Sequence, residues 1–368
     1  MRPVYLNLNQ TQDNIKNKSF NHEVIADKTL KLPSTNLKRI YRKKMPLNFY
    51  YRNYRKNQIS DDQIYEQNEP IRQTESNQLR YLYLKSDNNL KMLIMFDIAK
   101  YQGKKIDLLN SYNFPRDSAM VLVRGKLLIA GGKLTDSSII SDTYLLDFSN
   151  IKTAKLSNMN LCKRNTSMIN WNNNYIYSIG GFNNEQNYLR NVEIFIIEEN
   201  KWINANPLNL GRQDISLCLF NNSIIYSIGG AIFKNDEWIY LSNIERLDLN
   251  TKENIWEEIN FSSIGNWSGR VFCGCTQISE YEIMIFGGYD SEHKSEVFIY
   301  NVDKDAIKNH DLVSLRKASS FISRNSEVLV NSQYIYAISY PNFYIHRYSF
   351  RENVWRYLDG SKWVNKLS

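Results

Sequence analysis

Cysteine and histidine are scarce and long apolar runs are missing, and each shortage removes a class of protein from consideration. Four cysteines in 368 residues form no disulfide framework, so Cys162, Cys218, Cys273 and Cys275 read as reduced, strand-packed thiols of an intracellular chain. Cys273 and Cys275 fall on one strand face at i and i+2, a spacing that suits core packing better than a thiolate pair. The four histidines, His22, His293, His310 and His346, are too dispersed for a clustered ligand set, and neither a metal nor any other cofactor is expected. The longest apolar runs, such as MLIMF at 92–96, fall far short of a bilayer span, so no membrane insertion is expected. The N-terminal stretch has no apolar core and carries Asp13, unlike a secretory signal. No Ser-His-Asp order, phosphate loop or His-Glu zinc motif occurs; GGKLTDSS at 131–138 has a phosphate loop's glycines and lysine without its spacing. The paired carboxylates of SDD at 60–62 sit in polar linker, where solvation is their ordinary role. The chain is therefore read as non-catalytic.

What is present is a pattern. An alternating apolar stretch that stops at two glycines recurs: LLIAGG ends at Gly132, IYSIGG at Gly181 and again at Gly230, and IMIFGG at Gly288, in steps of 49, 49 and 58 residues. Alternation marks a β-strand, and a glycine pair at its end permits positive φ and the close approach of another backbone. Gly131, Gly132, Gly180, Gly181, Gly229, Gly230, Gly287 and Gly288 are accordingly expected to be structural. A period near fifty residues with one insertion marks a repeat architecture. A single arginine precedes each strand pair, at Arg72, Arg116, Arg164, Arg212, Arg270 and Arg316, which counts six units. Small residues follow it, as in Ser118-Ala119, Thr166-Ser167 and Ala318-Ser319, then an apolar strand and a polar turn such as Asn172-Asn173-Asn174. Downstream, VEIFIIEENKW, IERLDLNTKENIW and FYIHRYSFRENVW each give a strand, a turn and a strand opening on Trp202, Trp256 or Trp355. Four strands per unit is the content of one propeller blade, and 42% hydrophobic with 13% aromatic residues suits well-filled blade interfaces.

On the arginine, the glycine pair and the tryptophan, residues 70–360 resemble the kelch-repeat family. The resemblance implies an all-β fold, a six-bladed propeller over 69–368 preceded by an extended N-terminal arm, 1–68. Units one and six lack the glycine pair, in LRYLYLKSDNN and IYAISYPNF, and SNIKTAKL and IKNHDL lack the tryptophan. No Trp-Asp pair occurs, so the other common propeller repeat is not supported. The first unit is also short of an inner strand. An open ring would leave two unpaired edges, and the tail SKWVNKLS, 361–368, is the expected source of the closing strand.

Arg116, Arg164, Arg212, Arg270 and Arg316 are expected to tie neighbouring blades together at one fixed point of the repeat. The functional alternative is a ring of cations that reads an acidic peptide, as some propellers of this family do. A binding site should break the sixfold pattern. The stretch GGAIFKNDEWIYLSNIE breaks it with Phe233, Trp238, Ile239 and Tyr240 on a loop, where aromatics make interface anchors.

The arm is a different kind of sequence. Residues 1–68 hold 13 lysines and arginines against six aspartates and glutamates, +7 of the chain's +8. The charge concentrates in 38–56, where Lys38, Arg39, Arg42, Lys43, Lys44, Arg52, Arg55 and Lys56 face no acidic residue and Tyr41, Phe49, Tyr50, Tyr51 and Tyr54 are interleaved. Like charges packed so densely cannot fold alone, so the arm should order on an acidic acceptor. An acidic protein surface is favoured. RNA would suit stacked tyrosines and arginines, although no recognition module accompanies them, and a membrane would bind weakly for want of an apolar helical face. The arm wrapping its own propeller is the plain structural alternative. The expected role is a protein-interaction scaffold in the cytoplasm, docked in a large cytoskeletal or ciliary assembly. A ribonucleoprotein scaffold, a substrate adaptor and an enzyme with a site in the propeller mouth are the alternatives.

Overall fold

The computed structural model describes residues 81–85, 92–100, 102–107, 114–185, 187–314, 321–322, 328–340 and 345–358. Their strands form six radial sheets, the blades of a propeller. Blade I comprises β1 (Tyr81–Lys85), β2 (Met92–Asp97) and β3 (Gln102–Asp107), and blade II β4 (Ala119–Val123), β5 (Lys126–Ala130), β6 (Thr143–Asp147) and β7 (Lys152–Leu156). Blade III comprises β8 (Ser167–Trp171), β9 (Tyr175–Ile179), β10 (Val192–Ile196) and β11 (Lys201–Ala205). Blade IV begins with β12 (Ser216–Phe220) and β13 (Ile224–Ile228), throws out a separate hairpin of β14 (Ala231–Lys234) and β15 (Glu237–Tyr240), and finishes with β16 (Ile244–Asp248) and β17 (Trp256–Glu258). Blade V holds β18 (Ser262–Ile264), β19 (Gly274–Gln277), β20 (Glu282–Phe286), β21 (Glu296–Asn301) and β22 (Ala306–Ser314); β18 is a fifth strand, added parallel to β22 at the outer edge. Blade VI holds β23 (Phe321–Ile322) and β24 (Leu329–Val330), both paired with β25 (Tyr334–Tyr340), then β26 (Ile345–Ser349) and β27 (Val354–Leu358).

The strand period makes the ring. Successive side chains of a strand leave on opposite faces of its sheet, so each blade sends alternate residues into the seam on either side. On β5, Leu127 and Ile129 join the blade I/II core while Leu128 and Ala130 join the blade II/III core. The buried residues fall into six apolar clusters, one per seam, and the sixth joins Leu82, Phe96 and Ile98 of blade I to Leu329, Tyr336, Ile338 and Ile345 of blade VI. Each fully buried Ile or Leu contributes about 1.5–3 kcal/mol, which makes the seams the main source of stability. Second strands are covered on both faces, so β5, β9, β13 and β20 share one burial pattern, a partly buried first residue and four buried ones. Outer strands such as β7 are mostly exposed.

Turns between first and second strands use residues that accept positive φ: Arg124-Gly125, Asn172-Asn173 and Asn221-Asn222. In blade I the described strands correspond to the second, third and fourth of the other blades, since β2, its turn and β3 repeat the layout of β10 and β11. The closing strand expected from 361–368 lies outside the described residues, as do Arg72 and Arg316.

Candidate interaction face

Each glycine pair is a joint between backbones. Gly180 and Gly181 have φ of 65° and 113°. A Cβ on Gly180 would stand 2.5 Å from the Arg212 carbonyl oxygen of the next blade, and one on Gly132 would stand 2.6 Å from the Arg116 carbonyl oxygen of its own blade. The second glycine's amide then donates across the seam, from Gly132 to the Lys163 carbonyl, Gly181 to that of Arg212 and Gly230 to that of Arg270, each at 2.9 Å.

Those three carbonyls identify Lys163, Arg212 and Arg270 as equivalent residues, each 17 positions before the first glycine of its blade. Arg116 and Arg164 stand one place further on, where bridges run Arg116 to Lys133, Arg164 to Phe182, Gln213 to Ala231 and Val271 to Tyr289. The single arginine position expected from the sequence is therefore two adjacent positions. Adjacent residues of an extended chain point opposite ways, and their fates differ: Arg212 and Arg270 are buried, while Arg116 is exposed.

The buried position pairs within a blade, and the link between blades at this point is its carbonyl; the Arg164 side chain, one place further on, reaches back to Asp117 of blade II at 2.9 Å. Arg212 Nη2 meets Glu245 Oε1 at 2.7 Å and donates to Ser227 Oγ at 3.2 Å. Lys163 Nζ meets Glu193 Oε2 at 3.0 Å. Burial lowers the pKa of both cations, and the neighbouring carboxylate opposes that shift. In blade V the register puts Phe298 where Glu245 stands in blade IV. Arg270 there lies 4.6 Å over the Phe298 ring and 4.8 Å over Trp267, and donates to the Gly287 carbonyl at 3.2 Å. In blade II the pair is Pro115 and Tyr144, with no cation to balance.

Above these joints, the connections that leave the glycine pairs form one face, and it is aromatic over blades III to V. Phe182 packs on Tyr188 at 5.2 Å, Phe233 packs on Trp238 at 5.4 Å, and Tyr240 meets Tyr289 at 5.8 Å. The stretch expected to be a loop is a hairpin, because Asn235-Asp236, at φ of 54° and 63°, makes a tight two-residue turn matched to strand twist. Its tip presents Phe233 and Trp238, 43% and 48% exposed, beside Ile239. Tyr240 is half-buried at the hairpin's base against Tyr289, and burial raises its pKa; it fixes the hairpin to blade V more than it faces solvent. Sequence reading missed Lys133, Phe182 and Tyr289. The signal that finds them is their place directly after a glycine pair.

Behind the face runs the central channel, a cavity of roughly 540 Å³ lined by the inner strands of blades II to V and Val328–Val330. Asp117, Asn165, Asp214 and Phe272 line its rim at equivalent positions, all with φ between 52° and 56°. Asn165 N donates to the Asp117 carbonyl at 2.9 Å and Asp214 N to that of Asn165 at 3.0 Å, so the rim is laced from blade to blade. Cys218, Cys273 and Cys275 are buried beside the channel, and burial pushes the Cys218 thiol up to about 12. Cys162 is corrected from a strand to the link before blade III, half-buried. Among the described residues no group of His, Cys, Asp and Glu could hold a metal ion, and no helix is long and apolar enough to cross a membrane. The arm residues Lys38, Arg39, Arg42, Lys43, Lys44, Tyr50, Tyr51, Arg52, Tyr54, Arg55 and Lys56 lie outside the described residues.

Comparison with known proteins agrees with this geometry. No curated protein matches the chain. Of the solved structures, 655 chains match. One, described as the structure of YjhT, is 12% identical, with a TM-score of 0.57, over 73% of this chain and 91% of its own, and it bears on the fold alone. The family model for the KLHDC2/KLHL20/DRC7 Kelch-repeats domain matches residues 83–288, from blade I to the fourth glycine pair. The chain thus belongs to the kelch-repeat propeller family.

Proposed function

We propose that this protein is a non-catalytic interaction scaffold that docks in a large cytoplasmic assembly, cytoskeletal or ciliary. Kelch propellers commonly mediate protein interactions. The observation that carries the reading is the aromatic face over blades III to V. Its exposed members, Phe233, Trp238 and Ile239, stand on a rigid hairpin that only blade IV has among the described blades. Large aromatics held rigid lose little entropy on binding and make effective anchors. The basic arm supplies the second contact: the cations from Lys38 to Lys56 and the tyrosines among them suit an acidic filament or protein surface.

Replacing the eight cations from Lys38 to Lys56 by glutamine should cut recovery of partners from native cells while leaving thermal stability unchanged. Undiminished recovery would refute the arm's role. Loss of the assembly on nuclease treatment would move the reading to the ribonucleoprotein alternative.

A further inference from the structure

Resting on the interaction-module reading, we propose that the blade IV hairpin receives a basic segment of a partner protein. An arginine side chain of that segment lies on the Phe233 and Trp238 rings, and its neighbouring cations meet Asp236 and Glu237.

Phe233 and Trp238 stand opposite one another in the hairpin ladder, so both side chains leave on the same face, where the rings meet at 60° with centroids 5.4 Å apart. An edge-to-face pair leaves a ring face open, and both residues are exposed. Elsewhere the chain covers ring faces with its own cations: Arg164 lies 5.1 Å from the Phe182 centroid, Arg270 4.6 Å from that of Phe298, Lys155 5.9 Å from Tyr144 and Arg347 4.6 Å from Tyr334. Among the described residues no cation lies over Phe233 or Trp238. Lys234, next to Phe233, is turned to the other face of the hairpin by the strand period. The place is open to a cation from outside. Arginine suits it best, because its flat, weakly hydrated guanidinium stacks on aromatic rings.

The surrounding charge has the matching sign. The connections that leave the glycine pairs of blades III, IV and V carry Glu185, Asp236, Glu237, Asp290 and Glu292 against Arg190, Lys234 and Lys294. Two of those cations are engaged, Lys294 by Asp290 at 2.8 Å and Arg190 by the Leu208 carbonyl. Among the described residues no ion pair or side-chain hydrogen bond holds Asp236, Glu237 or Glu292. An acidic segment is repelled at such a place, and a wholly apolar one would desolvate the carboxylates without return. A basic segment satisfies rings and carboxylates together.

The test selects random displayed peptides of about twelve residues on the full-length protein and measures their binding to full-length W238L and D236N/E237Q. The second variant keeps the turn, since asparagine accepts the positive φ of position 236. The wild type should return a class with two or more Arg or Lys residues, which each variant binds about tenfold more weakly. Acidic peptides captured by the basic arm would instead bind all three proteins alike. Changing the arginines of the selected class to lysine should weaken it, and changing them to glutamine should abolish binding. Selection without a basic class overturns the proposal, and so does a basic class that both variants bind like the wild type. Apolar peptides lost on W238L and kept on D236N/E237Q also overturn it, while leaving the hairpin's role as an anchor standing. A synthetic peptide of residues 38–56 that binds as tightly as the selected class, with the same losses in both variants, would give the site to a second copy of this chain and overturn the assignment to a partner protein.

Discussion

The seam between blades IV and V and the face above it are built from neighbouring residues under opposite rules. At the seam, Gly229 meets the Arg270 backbone just as Gly131 meets that of Lys163 and Gly180 that of Arg212. Two residues beyond the first glycine, on the face, the same repeat carries Lys133, Phe182, Ala231 and Tyr289. Backbone approach admits one solution, so it recurs; a side chain beyond the joint has no such constraint and diverges. Stability should therefore reside in what repeats and recognition in what does not.

The sharpest break of that contrast compares two glycines of similar φ, Gly229 at 67° and Gly125 at 73°. A Cβ on Gly229 would collide with the Arg270 carbonyl, while one on Gly125 meets nothing within 4 Å. Gly229→Ala should cost more than about 4 kcal/mol in denaturant unfolding, and Gly125→Ala only about 1–2 kcal/mol for the left-handed backbone. Equal losses would show that φ alone, not close approach, dictates the pair. Next, Arg212→Met strands Glu245 in the core and should cost about 3–5 kcal/mol. Arg270→Met strands no charge and should cost markedly less, and Glu245→Phe should restore part of the loss in Arg212→Met.

A third effect is set by pH. His346 on β26 is buried beside Trp355, and burial holds its pKa at about 4 against an ordinary 6.5. Below 6.5 the unfolded chain takes up a proton that the folded chain refuses until about 4, so stability should fall as pH drops through that window, by on the order of 3 kcal/mol. His346→Leu should flatten the dependence. The smallest effect concerns tryptophans. Trp202 Nε1 donates to Thr143 Oγ1 of the preceding blade at 3.1 Å, but Val192 and Val297 stand at the equivalent places and the Trp256 and Trp355 nitrogens are buried without an acceptor. Val192→Thr should give Trp256 a partner and stabilise by up to about 1 kcal/mol; a loss would mean that desolvating the hydroxyl outweighs the new bond.

The fold was legible because its constraint is local. A glycine pair after an alternating strand, recurring near every fifty residues, is visible in one dimension, and so is the tryptophan of β11, β17 and β27. The buried cation was harder to see. Counting arginines merged two positions and passed over Lys163, since the partners that separate them, Glu193, Glu245 and Phe298, are distant in sequence and meet only through strand pairing. The hairpin carried its own signal in Asn235-Asp236, a turn pair that demands positive φ. The face was mostly illegible: Phe182 and Tyr188 come from blade III, Phe233 and Trp238 from blade IV and Tyr289 from blade V, and nothing in a linear reading brings them together.

If recognition lies in residues that break the repeat, removing them should abolish partner binding and leave the propeller intact. The most direct test recovers partners from native cells with the full-length wild type and with R116E/K133E/F233A/W238A, after thermal midpoints are shown to agree. The variant should melt with the wild type and lose its propeller-dependent partners. A variant that keeps every partner at unchanged stability would contradict it.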